Sequence, residues 1–261
     1  MSDIKKRVLI IEPHGDDSLI SCYRILRSDA QVKVLTLSER SSERLSEHFK
    51  FVESEFLDLQ DYNYDNRPAD HVQVNRWHKE GKNTYQEYVN LLHEKDGFEE
   101  IVVSPLIDVV KEELLKNVYD IILVPLGVVH PYHIAVREAC ERIQESLRHA
   151  GLGYISDKFV YYSEGPYNGK KYGKLLEEDA ISQLNLLSLD VFSEEGFIKH
   201  KEKVFKDVYP TEVKLFRFTY DEVVCNGELY TGSKSAIREV ESLMTGWMRT
   251  YPPEEQGGML E

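Results

Sequence analysis

Cysteine is scarce: Cys22, Cys140 and Cys225 are the only three, widely separated and never in a Cys-x-x-Cys pair. An odd, scattered set of this kind reads as reduced thiols in a cytoplasmic protein. Positive charge is also in deficit, since 32 Lys and Arg face 46 Asp and Glu for a formal charge of −14. A nucleic-acid backbone is thereby excluded as the main partner, and a soluble acidic surface is the simplest account of the balance. Long apolar runs are missing as well. Arg7 to Ile11 is too short to cross a membrane or serve as a secretory leader, and Glu12 follows it at once. Finally, no Gly-x-Gly-x-x-Gly follows the first apolar run, and Gly151-Leu152-Gly153 is too sparse to replace it, which disfavours a nucleotide cofactor.

What is present is a β-α-β-α rhythm. Arg7 to Ile11 reads as a buried parallel strand, and Leu19, Ile20, Tyr23 and Leu26 share a helical face after it. A second strand pattern at Val32 to Leu37 precedes a helix-like recurrence of Leu45, Phe49, Val52 and Phe56. Further strands are predicted at Tyr119 to Pro125 and Phe159 to Tyr162, with helices over Thr84 to Glu94, Tyr132 to His149 and Glu195 to Val208. Asp58 to Lys82 carries no clear period. The rhythm predicts an α/β fold with a mostly parallel central sheet and right-handed crossovers. With no internal repeat and no low-complexity linker, one domain over residues 1–261 is the simplest division.

Two clusters carry chemistry. Pro13-His14-Gly15-Asp16-Asp17 follows the first strand, and His130-Pro131-Tyr132-His133 follows a later one. Taken singly, an Asp-Asp pair after a strand is more often a helix cap, and a His-x-x-His at a helix start is as often surface chemistry. Their joint occurrence at strand ends shifts the balance, because ligand sites of open α/β sheets lie outside the carboxyl ends of strands. Catalytic zinc takes three nitrogen or oxygen ligands and keeps a fourth position for water. His14, Asp17 and His133 would supply such a set, with Asp16 left as a carboxylate beside the water. The other histidines, His93 and His200 among them, read as surface or packing residues.

These two clusters resemble the motifs of the PIG-L/LmbE-like zinc de-N-acetylases. His14-Gly15-Asp16-Asp17-Ser18 is similar to their His-Pro-Asp-Asp-Glu, and His130-Pro131-Tyr132-His133 to their His-x-Asp-His. The resemblance runs on through Val34 to Leu37, Tyr161-Tyr162-Ser163-Glu164, a late Lys-rich helix and Gly227 to Tyr230, nearly the whole chain. It implies a Rossmann-like three-layer fold and a hydrolase that removes an N-acetyl or other acyl group from an amino-sugar-containing substrate. It further implies Zn2+ on His14, Asp17 and His133, Asp16 as general base, and His130 supporting the oxyanion or the leaving amine. The implied partner is a small N-acetylated sugar or glycoconjugate, and the choice between monomer and homo-oligomer is open. Gly15, Ser18 and Tyr132 depart from the pattern. The first relaxes the loop, while the other two remove acids that could orient ligands and motivate the alternative of a metal- or sugar-binding homologue with altered specificity or no turnover. Arg40 and Arg44, after the second strand, can face the same rim and grip substrate hydroxyls or a phosphate, and ordinary helix-start charges explain them equally well.

Overall fold

The computed structural model describes residues 5–37, 54–56, 68–95, 97–164, 171–191, 195–210 and 228–250. Arg40, Arg44 and Cys225 lie outside them. Among the described residues seven strands form one sheet in the order β3-β2-β1-β4-β5-β7-β6. They are β1 (Arg7–Glu12), β2 (Gln31–Thr36), β3 (Ser54–Phe56), β4 (Ile121–Pro125), β5 (Phe159–Tyr162), β6 (Leu187–Val191) and β7 (Glu228–Gly232). The first five pair in parallel, whereas β7 runs antiparallel to both β5 and β6. The fold is α/β with a mixed, mostly parallel sheet, as the rhythm predicts.

Helices cover both faces. In chain order they are α1 (Asp17–Ser21), α2 (Tyr23–Leu26), α3 (His71–Lys79), α4 (Thr84–His93), α5 (Ser104–Lys116), α6 (Pro131–His149), α7 (Gly153–Ser156), α8 (Lys171–Leu184), α9 (Glu195–Val208) and α10 (Lys234–Thr250). A π-helical turn, Phe98–Val103, leads into α5. Strand side chains alternate between faces, so one apolar run feeds two cores. Leu9, Ile11, Ile122 and Val124 pack with residues of α3 to α6 and α8, while Val8, Ile10, Ile121 and Leu123 pack with residues of α2 and α10. A strand buried on both faces has no polar side, which is why these runs are continuously apolar. Among the described residues no helix is long and apolar enough to cross a membrane.

Two local expectations change, and one stretch left open takes a definite form. The helix expected through Leu19 and Leu26 breaks at Cys22, whose φ of −130° and ψ of 25° leave the helical region. The break turns the Arg24 amide away from the helix, and the Glu228 carboxylate accepts it at 3.2 and 3.4 Å. Phe56, read as helical, lies in β3, where parallel pairing with Thr36 holds it extended. Residues 71–79, without a clear period, form α3, capped by Asp70 through the Gln73 amide at 2.9 Å.

The order reverses between β1 and its neighbours: β2 lies on one side and β4 on the other. The loops leaving β1 and β4 therefore diverge and open a crevice between them. Gly127 turns the chain there. Its φ is +74°, and an added Cβ would stand 3.0 Å from the His133 carbonyl and the Ile134 Cα of α6. Backbone cannot yield as a flexible side chain can. Gly127→Ala is expected to cost at least about 1–2 kcal/mol from the left-handed conformation alone, with the clash added. Urea unfolding checks this, and an unchanged midpoint would contradict the tight turn.

Candidate metal centre

His14 to Asp17 form the turn between β1 and α1. The His14 amide donates to Asp17 Oδ2 at 2.9 Å, and the Asp17 amide donates to the His14 carbonyl at 3.2 Å. This reciprocal pair folds the i, i+3 residues onto each other. Asp17 Oδ2 lies 3.5 Å from His14 Nδ1 and 3.4 Å from His133 Nε2. The three expected ligands therefore converge, although His14 and His133 come from different strand ends. His14, Asp16, Asp17, His130 and His133 are all at most 5% exposed.

His130 completes a cluster in which one ring nitrogen from each of His14, His130 and His133 lies within 4.8 Å of the others. It stands edge-on to His14, with ring centroids 5.0 Å apart. Its Nδ1 accepts the Tyr132 amide at 3.3 Å and caps α6. A neutral imidazole that accepts at one nitrogen carries its hydrogen on the other. His130 thus offers the site a donor on Nε2, whereas Asp17 offers an oxygen lone pair. Asp16 is the N-cap residue of α1, yet its carboxylate makes no capping hydrogen bond. The helix-cap explanation of this residue loses its main support.

Glu164 and Glu12 are additions that no periodicity announced. Glu164 Oε1 accepts the Gly127 amide at 2.5 Å and faces His133 Nδ1 at 3.1 Å. A carboxylate on the far nitrogen of an imidazole fixes its tautomer and aims the near nitrogen. Here the near nitrogen, Nε2, points at Asp17. Glu12, the last residue of β1, accepts the Ser18 amide at 2.8 Å and the Thr36 hydroxyl at 2.7 Å. Burial, with the Asp17 charge added, pushes its carboxyl up to about 8. The signal for both was their place, at or just beyond the end of a buried strand at the motif-bearing rim.

Burial alone would lower the His133 pKa, but the carboxylates of Asp17, Glu164 and Asp16 outweigh it and the net direction is upward. Three carboxylates thus act on the His133 ring. Two imidazole nitrogens and a carboxylate oxygen brought together in a buried setting are a donor set that suits a divalent cation, so the residues present fit a zinc ion.

Comparisons with protein-family models and with curated proteins find no match. Solved structures do match. A deacetylase in the biosynthesis pathway of teicoplanin aligns over 87% of this chain and 97% of its own, with a TM-score of 0.53 at 13% identity. A deacetylase–teicoplanin complex aligns over 87% and 98%, with a TM-score of 0.50 at 14% identity. The zinc-inhibited form of teicoplanin deacetylase aligns over 87% and 97%, with a TM-score of 0.50 at 12% identity. This chain shares the fold of these solved structures. The likeness resides in the backbone, since so few residues are shared.

Elsewhere in the fold, His93, Glu99 and Glu138 also bring ligand atoms within 4.8 Å, at the surface. The Arg142 guanidinium already grips Glu99 through both terminal nitrogens, and His93 pairs with Glu138 at 2.9 Å. That cation leaves the surface group a poorer metal site than the buried one.

Behind Glu164, the Ser163 hydroxyl donates to Glu177 on α8. Burial, reinforced by the Glu164 charge, raises the Glu177 carboxyl from its ordinary 4.5 to about 7. The folded chain therefore binds this proton more tightly than the unfolded chain. Its stabilisation is complete below 4.5 and is lost as pH rises through about 7. Glu177→Gln keeps an acceptor for Ser163 and cannot ionise. It should flatten the pH dependence and raise stability above that window by on the order of 2–3 kcal/mol. Denaturant midpoints at the two ends of the window check the sign; equal slopes in parent and variant would refute it.

Proposed function

We propose that this chain is a metal-dependent amidohydrolase that removes an N-acetyl group from an amino-sugar-containing small molecule or glycoconjugate. The observation that carries the reading is the meeting of His14, Asp17 and His133 at the β1/β4 crevice, with Glu164 aiming His133. The deacetylase fold supports the same reaction class. His14, Asp17 and His133 would hold zinc. When bound, zinc would supply Lewis acidity toward the amide carbonyl and make water acidic enough to attack at neutral pH.

The chain's own residues divide the remaining work. Asp16, adjoining a ligand and not engaged in capping, takes the proton of the attacking water. His130, with its hydrogen on Nε2, donates to the carbonyl oxygen as negative charge develops there. The proton held by Asp16 then passes to the departing amine nitrogen, so water and amide become acetate and a free amine. The tautomer favours the oxyanion role for His130 over the acid role, because a neutral imidazole is a poor proton source.

A second reading, a sugar- or metal-binding homologue without turnover, draws on Tyr132. This residue is buried beside His130 with ring centroids 6.2 Å apart, where an acid is the pattern of the family it resembles. The two readings separate in one set of measurements. Elemental analysis should find about one divalent metal per chain, kept in Asp16→Asn and lost in His133→Ala. Free-amine release from N-acetylated sugars should fall roughly 10²–10⁴-fold in Asp16→Asn. Undiminished metal in His133→Ala would sink the ligand set. A metal-loaded parent that binds the sugars and releases no amine would favour the second reading.

A further inference from the structure

The turn that carries Asp16 contains a glycine, so its backbone depends on the hydrogen bonds made to it, those to its carbonyls included. The His14 carbonyl accepts the Asp17 amide and the Asp16 carbonyl accepts the Ile20 amide. The Gly15 carbonyl accepts the hydroxyl of Tyr209, at 2.5 Å, from 194 positions away in the sequence. Tyr209 follows α9 and is fully buried with Phe205 and Phe197 against Leu19, Ile20 and Tyr23. On the same helix, buried Lys201 donates to the Ile20 carbonyl. The α9 segment therefore grips the main chain on both sides of the Asp16-Asp17 pair.

We infer that Tyr209 is a positioning residue for the candidate metal centre, acting through the Gly15 carbonyl. That carbonyl defines the plane of the peptide joining Gly15 to Asp16. Swinging the plane turns the Asp16 Cα, and with it the aim of the Asp16 carboxylate and the approach of Asp17. A glycine resists such a swing less than any other residue. The phenol holds from outside what the residue at position 15 cannot hold from within. The metal consequence rests on the function proposed above, whereas the holding of the turn does not.

Tyr209→Phe removes one oxygen and leaves the ring packed. Tyr23→Phe is its control: the Tyr23 hydroxyl pairs with His200 Nδ1 at 2.8 Å in the same apolar cluster. In the metal-free protein, the Gly15 to Asp17 amides of Tyr209→Phe should exchange faster than in the parent, and those of Tyr23→Phe should not. In zinc titrations well below the unfolding temperature, Tyr209→Phe should bind roughly 3- to 10-fold more weakly, the worth of one hydrogen bond, and Tyr23→Phe as the parent does. The cobalt(II) form of Tyr209→Phe should show a shifted visible absorption. Faster exchange in a protein whose parent binds no metal would uphold the clamp and overturn the metal reading. A Tyr209→Phe protein with lowered melting temperature but parental exchange, affinity and spectrum would reduce Tyr209 to packing and overturn the inference.

Discussion

A carboxyl group taken out of water needs hydrogen-bond partners, because a buried polar group left unpaired costs about 1–3 kcal/mol. Four buried acids in this chain satisfy that need with backbone amides at places where the chain changes direction. Glu12 accepts from Ser18, Asp17 from His14, Glu164 from Gly127 and Glu228 from Arg24. Each bond ties a turn to a rigid neighbour, and three of the four turns lie around the crevice between β1 and β4. The same oxygens that need donors thus fix the loops on which chemistry would depend. Electrostatic need and loop geometry are here one constraint.

This constraint explains how the site tolerates its unusual residues. Serine at 18 and tyrosine at 132 suggest a site poorer in carboxylates that orient ligands. The structure brings one such group in from elsewhere: Glu164 reaches His133 from beyond β5. Gly15, which relaxes its turn, is met by the Tyr209 hydroxyl. Each replacement arrives through space from a different element, so none leaves a mark within the motif itself.

Legibility followed the kind of interaction involved. Strands β1, β4 and β5 were readable because burial on both faces writes an unbroken apolar run, and β2 because Val32, Val34 and Leu35 remain a recognisable apolar stretch around Lys33. Helices α6 and α9 were readable because one buried face writes a 3.6-residue period, and the two His-containing clusters were readable at the ends of such runs. The antiparallel pair β6 and β7 was not, since β6 is an exposed edge with Leu187 half uncovered and has no sustained pattern. The break at Cys22 was hidden because its compensation sits 204 positions away in Glu228. Side-chain bonds to distant backbone have no spacing rule, and Glu12, Glu164 and Tyr209 all belong to that class.

The central pairing also bears on how the molecule comes into being. Beside the β1–β4 junction, the Arg7 amide meets Asp120 across 113 positions, and loops that long are slow to close before their contacts repay the lost entropy. His14 and His133 stand on opposite sides of that closure, so their cluster exists only after the sheet has assembled. A cation held there would draw the equilibrium toward the finished chain by mass action. It would arrive too late to nucleate the sheet, and the folding rate would be set by β-strand topology, whatever the metal supply.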